Sequence, residues 1–173
     1  MGLRPGRTVR TVERPYTRQS KRVPRKSYVV GVPFPKTHQF EMGNRTGEFN
    51  TRLFLKAEQA VQIRDNALEA ARVVGHKFLE TKIGPTNYFL KILVYPHQVL
   101  REKPIATGAG ADRYSQGMAH AFGKPSGTAV ITKVGQRLLE LRINREHLVF
   151  GKLALKKIGL RIPTTIKIEM EST

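Results

Sequence analysis

The stretch "RLFLKAEQAVQIRDNALEAARVVGHKFLE", residues 52–80, decides the fold. It starts inside a short strand-like run, Phe49–Leu55, and then changes period. Ala60, Ala67, Leu68, Ala71, Val74, Phe78 and Leu79 recur at helical spacing. The alanines keep that face low enough for the helix to lie close on a sheet, and Gly84-Pro85 ends it. A strand followed by a helix with a small apolar face is the unit of a two-layer fold.

The remaining elements extend that unit. "YFLKILVY", Tyr88–Tyr95, is rich in aromatic and β-branched residues and stops at Pro96, as a strand should. "TAVITKV" and "RLLELRI" flank Gly135-Gln136, a spacing that predicts a β-hairpin. Asn144 reads as a helix N-cap with Glu146 in the first turn of "REHLVFGKLALKKI". Leu148, Leu155 and Ile158 share one face, Lys156 and Lys157 fall in the last turn, and Gly159 and Pro163 close the helix. In "TTIKIEM", Ile166, Ile168 and Met170 alternate with polar residues, a half-buried strand. There is no βαβα alternation and no internal repeat. The expectation is an α+β two-layer sandwich: a mostly antiparallel sheet with two helices packed on one face. A basic arm over residues 1–27 precedes a single body over residues 28–173, and a long loop, residues 102–126, leaves that body.

Charge is the outstanding feature of the composition. Lysine and arginine number 31 against 13 acids, a net +18. Such an excess repels itself when compact and calls for a polyanionic partner. Residues 1–26, "MGLRPGRTVRTVERPYTRQSKRVPRK", set nine basic residues against the single acid Glu13 and so hold nearly half of that excess. Prolines at 5, 15 and 24 rule out a continuous helix, and few side chains there can be buried. The reading is an arm that stays extended until phosphates neutralise it. Arg4, Arg7, Arg10, Arg14, Arg18, Lys21, Arg22, Arg25 and Lys26 would meet phosphates, while Tyr16 and Tyr28 offer flat faces to bases.

Several classes are disfavoured. Cysteine is absent, which removes disulfides, thiol nucleophiles and cysteine-ligated zinc. The five histidines are scattered without metal-ligand spacing, so no metal is expected. No run of apolar residues is long enough to span a bilayer, and no apolar segment follows the basic N-terminus as in a secretory signal.

"TGAGADRYSQGMAHAFGKPSGTA", Thr107 to Ala129, looks at first like a phosphate loop. Five residues rather than four separate Gly117 from Gly123-Lys124, and Pro125 stands where a magnesium-binding hydroxyl belongs. Gly108-Ala109-Gly110 lacks the third glycine of a dinucleotide fingerprint. Asp112 is the lone acid of the stretch, with Arg113 its expected partner, and no catalytic set gathers around His120. Neither an enzyme nor a cofactor is indicated. Small residues that allow close approach, mixed with Arg113, Tyr114, Met118, His120, Phe122 and Lys124, suit a finger laid on irregular RNA. That finger would link a strand to the predicted hairpin.

"AGADRYSQGMAHAFGKPSGTA", preceded by "RPYTR", "ALEAAR" and "YPHQVLR", resembles the large-subunit ribosomal protein family called L-ten-e in archaea and eukaryotes and L-sixteen in bacteria. The resemblance covers nearly the whole chain and is of archaeal type. It implies a cytoplasmic ribosomal protein that binds large-subunit rRNA beside neighbouring ribosomal proteins. It further implies a loop, Glu102–Ser126, reaching toward the peptidyl-transferase centre and tRNA in the A and P sites. In that loop Arg101, Lys103, Arg113 and Lys124 would be the charged contacts. Gly108, Gly110, Asp112, Arg113, Tyr114, Met118, His120, Phe122, Gly123 and Lys124 would line the tRNA-proximal part. The resemblance implies neither a membrane nor a small-molecule substrate. The rival readings are a DNA-binding architectural protein, a phosphate-binding enzyme and an anionic-membrane protein. The first lacks a helix-turn-helix or finger, the second a phosphate loop, the third a basic helix face opposite a broad aromatic one.

Overall fold

Leu53, Leu141 and Leu90 stand opposite one another on three neighbouring strands, and Leu55, Leu139 and Ile92 repeat the arrangement two residues along. Because side chains alternate across a strand, both rows point to one face. That face is the floor of the core. The computed structural model describes residues 3–12, 19–20 and 22–172. Its larger sheet has five strands in the order β1 (Glu41–Gly43), β4 (Tyr88–Ile92), β7 (Arg137–Ile143), β2 (Thr51–Ala57) and β8 (Ile166–Ser172), every pair antiparallel. Helices α1 (Asp65–Ile83) and α3 (Leu148–Gly159) cover the leucine rows and pack on each other. Glycine makes both contacts possible. A Cβ on Gly75 would lie 2.4 Å from Ile158 of α3, and one on Gly151 would lie 2.3 Å from Ile143 of β7. The architecture is the expected α+β sandwich with both helices on one face.

Three details differ from the sequence reading. Ala60 lies outside α1, which begins only at Asp65 after a three-residue strand, β3 (Gln62–Arg64). Such a run is too short to show a period. The predicted hairpin around Gly135-Gln136 does not form. β6 (Lys124–Ile131) pairs with β3 and β5 (Gln98–Glu102) in a separate three-stranded sheet, while β7 has both edges taken by β2 and β4. The Gly135 turn instead carries the chain from one sheet to the other. Gly135 N–H donates to the Ala57 carbonyl, and Ala57 N–H donates to the Gln136 carbonyl. The long loop therefore links no strand to a hairpin. It closes a hairpin of its own, between β5 and β6. Asn144 does precede a helical turn, but that turn is a 3-10 segment, Arg145–His147, leading into α3, and its side chain makes no cap bond.

Asp65 fixes how these parts meet. Buried in the first turn of α1, it accepts from the Lys36 N–H at 3.0 Å and the Thr128 hydroxyl of β6 at 3.3 Å, and its own carbonyl accepts from the Thr37 hydroxyl. A carboxylate at a helix N-terminus also complements the helix dipole. One side chain thus ties the entering chain, the helix and the small sheet together.

The outer face of the large sheet is a ladder of charges. Lys56 meets Glu169 at 2.7 Å, Arg137 meets Glu169 and Glu171, Lys91 meets Glu41 at 2.6 Å, and Arg142 meets Glu140 at 2.6 Å. Arg137 and Arg142 also roof the rings of Phe54 and Phe89, which are buried although they lie on this face. The hydrogen bond from Lys91 holds the Glu41 carboxyl below its ordinary value, and Lys56, with Arg137 behind it, does the same to Glu169. A carboxyl lowered on folding contributes stability above its ordinary pKa of 4.5 and loses it as pH falls through the folded value. The melting temperature should therefore hold from pH 7 to 5 and fall below about 4.5. In Glu169→Gln the neutral-pH value should drop and the acid fall become shallower, as circular dichroism melts across pH will read. An acid limb unchanged in Glu169→Gln would contradict the role given to the ladder.

Candidate nucleic-acid interface

The β5–β6 ribbon is the stem on which the glycine-rich loop stands. Glu102 pairs with Lys124 and Arg101 with Pro125, with an irregularity between Leu100 and Arg101 that bends the ribbon. A Cβ on Gly123 would lie 2.6–2.9 Å from backbone atoms of Glu102, so only glycine lets the strands close there. Arg101 lays its guanidinium 3.8 Å over the Phe122 ring and braces the same corner. Beyond the stem the chain is not featureless. Ala111–Tyr114 forms one helical turn, α2, introduced by Gly110 in the left-handed conformation. Gly108 and Gly117 also take positive φ with open space around them.

Lys103 and His120 hold the far side. His120 is the one non-glycine residue with positive φ among the described residues, at 52°. Such a backbone persists where its surroundings over-determine it. Lys103 supplies that restraint, its ammonium donating to the carbonyls of Ala119 and of His120, the latter at 2.9 Å. The family resemblance implies Lys103 as a charged contact of the loop, and in this structure its ammonium also braces the loop from within. Asp112 and Arg113, expected to pair, form no ion pair. Neighbours in a helical turn point in different directions.

The N-terminal arm is not free either. The Gln62 N–H, on the edge of β3 turned away from β6, donates to the Arg10 carbonyl at 2.9 Å, and its side-chain amide donates to the Thr11 carbonyl. Arg64 donates to the Arg4 carbonyl at 2.9 Å, and Arg10 reaches Gln59 at 2.7 Å. Arg4 then crosses to the loop stem, pairing with Glu102 at 2.5 Å and donating to the Lys103 carbonyl. Arm and loop, read from the sequence as two separate devices, meet at Glu102. Sequence reasoning missed Glu102, Gln62 and Arg64, whose roles depend on β3 and β5 flanking the same strand. An extended arm was expected because it can bury little. Its residues Arg4, Arg10 and Thr11 are held by backbone and side-chain hydrogen bonds, which charge counting does not register. Residues 6–9 and 24–26 make single 3-10 turns rather than extended chain.

What remains outward is cationic and flat. Arg7, Arg22, Arg25, Lys26, Arg113 and Lys124 are exposed, and their side chains make no hydrogen bond or ion pair among the described residues. Tyr114 is 86% exposed, and Met118 and Phe122 of the same loop are exposed too. The predicted contacts Arg14, Tyr16, Arg18 and Lys21 lie outside the described residues. No helix among the described residues is long and apolar enough to cross a membrane. A surface of unpaired guanidinium and ammonium groups with exposed rings is chemically suited to phosphates and unstacked bases.

The fold and composition define a strongly basic α+β protein. Residues 12–169 match the family described as ribosomal protein L16p/L10e, and the chain belongs to that family. It is 44% identical over 171 residues to the large ribosomal subunit protein uL16 of Archaeoglobus fulgidus, covering 99% of this chain and 94% of that protein. It is 46% identical over 169 residues to the uL16 protein of Staphylothermus marinus and 43% identical over 169 residues to that of Methanococcus maripaludis.

Gly123→Val should force the stem strands apart while leaving the leucine core intact. Chymotryptic cleavage after Tyr114 or Phe122 should accelerate about fivefold for each 1 kcal/mol by which the stem is weakened. The melting temperature of the body should move little. Unchanged cleavage would mean that the Glu102–Gly123 approach does not hold the loop.

Proposed function

We propose that this chain is a structural component of the large ribosomal subunit that binds rRNA and takes part in translation without catalysing a reaction. The observation that carries the reading is the position of the unpaired cations. Arg7, Arg22, Arg25, Lys26, Arg113 and Lys124 stand outward on the arm and loop with no ion pair among the described residues, and exposed body cations such as Lys77, Lys82 and Lys133 add to them. Residues 1–27 act as the anchoring arm, and residues 28–173 form the body that supplies shape. Residues 102–126 form the finger. The arm cations, including Arg14, Arg18 and Lys21, neutralise phosphates and release counterions, which gives affinity without sequence preference. Tyr16 stacks on a base. The finger extends toward the peptidyl-transferase centre and the acceptor ends of tRNA in the A and P sites. There Arg113, Tyr114, Met118, His120, Phe122 and Lys124 help to seat the tRNA. Glycines 108, 110 and 123 keep the finger slim. Lys103 and Arg101 shape it from within. The chain works inside the cytoplasmic ribosome, beside other large-subunit proteins, and needs no cofactor or metal.

Affinity for large-subunit rRNA fragments, measured against duplex DNA across a salt series, tests this reading. Structured RNA should be preferred, with a steep log–log salt slope. Removing residues 1–26 should flatten that slope by roughly 0.7–0.9 for each phosphate that the arm no longer neutralises. Equal affinity for DNA and RNA, or a slope unchanged by the truncation, would contradict it.

A further inference from the structure

Helix α3 carries an apolar line on the side away from its core. Gly151, Ala154, Leu155, Ile158 and Gly159 are buried beneath it. At about 100° per residue, Val149, Leu153 and Leu160 fall within about 40° of one another, opposite that buried set. Leu160 keeps helical dihedrals, φ −63° and ψ −15°, so it continues the line one residue past the helix. A helix lying on a sheet ordinarily presents polar residues there. Here Val149 is 66% and Leu160 84% exposed, and Leu153 is open between them. The line is about 16 Å long, at about 1.5 Å of rise per residue.

Its surroundings are cationic. Lys152 and Lys156 are exposed on the same side, Arg161 follows at the end, and α3 itself contains no acid. Lys157 is turned away, its ammonium 3.9 Å over the Phe78 ring of α1. RNA matches this face poorly, because branched aliphatic side chains offer no flat surface for stacking and interrupt contact with phosphates. The rings suited to RNA, on Tyr114 and Phe122, stand on the loop. An apolar line along one face of a helix, laid into a groove of a partner, is a recurring mode of protein recognition.

We propose that this face of α3 docks a neighbouring protein through a segment that is apolar along one side and acidic along its rims. Val149, Leu153 and Leu160 enter the apolar strip, and Lys152 and Lys156 meet carboxylates at its edges. The inference rests on the chain's place in the large subunit.

The absence of cysteine permits a direct test. Val149→Cys, labelled with a benzophenone maleimide and assembled into large subunits, should crosslink to a protein on light exposure. The adduct should map to a segment rich in Asp or Glu and periodically apolar. Adding Leu153→Glu should cut the yield about tenfold, the effect of about 1.4 kcal/mol. Leu153 is already open to solvent, so a melt of the double variant should match the single one. Adducts on rRNA alone, on a basic protein segment, or none at all would each overturn the proposal. Lys26→Cys, labelled the same way, should crosslink to rRNA. If it does not, the ribosomal reading fails, and the docking face falls with it.

Discussion

Backbone pairing of β6 on both of its edges is the constraint on which the outward-facing surface depends. One edge holds β5 and so closes the stem of the loop; the other holds β3, whose far edge receives the arm. Two segments separated by some ninety residues of sequence are thereby brought to opposite margins of one narrow sheet. The Arg4–Glu102 pair spans the remaining gap. An exposed ion pair contributes little to stability by itself. Its importance is geometric, because it fixes where the arm's charges begin relative to the loop's. The leucine rows, α1 and α3 supply a rigid body behind that small sheet, and Asp65 joins the two.

Charge is distributed by function as much as by count. On the outer face of the large sheet, Lys56, Arg137 and Lys91 meet Glu169, Glu171 and Glu41 across strands, and two arginines shelter phenylalanine rings. On the arm and loop most of the bases have no acid to meet. The net +18 of the chain also leaves exposed cations without an ion pair on the body, Lys77, Lys82 and Lys133 among them, so the division is one of degree. Arg4, Arg10 and Lys103 show the limit of that division, since each is spent partly on holding arm or loop in place.

Much of this was legible in the sequence, and the reasons for the rest are specific. Long periodic segments read correctly: α1 from the alanine and leucine spacing, α3 between Asn144 and Pro163, β8 from its alternation. The β6–β7 pairing was misread because Gly135-Gln136 satisfies a local turn rule, whereas partner choice is decided by which strands reach both edges of each run. β3 was invisible because three residues carry no period. In the candidate site, the positions of Arg113, Tyr114 and Lys124 on an exposed loop follow from residue type. The inward use of Lys103 does not, since a lysine beside a loop looks the same whether its ammonium faces solvent or a carbonyl. The docking of the arm was hidden for a like reason. It rests on the Gln62 amide and on carbonyls that every residue possesses.

The most direct test of the account is amide hydrogen exchange at Gln62 in the free protein, read by NMR. That N–H donates to the Arg10 carbonyl and so reports arm docking alone. The amide should be protected in the full chain and should exchange at least about tenfold faster once residues 1–12 are removed, with neighbouring core amides unchanged. Fast exchange in the full chain, or protection that survives the truncation, would show that arm and loop do not form one surface.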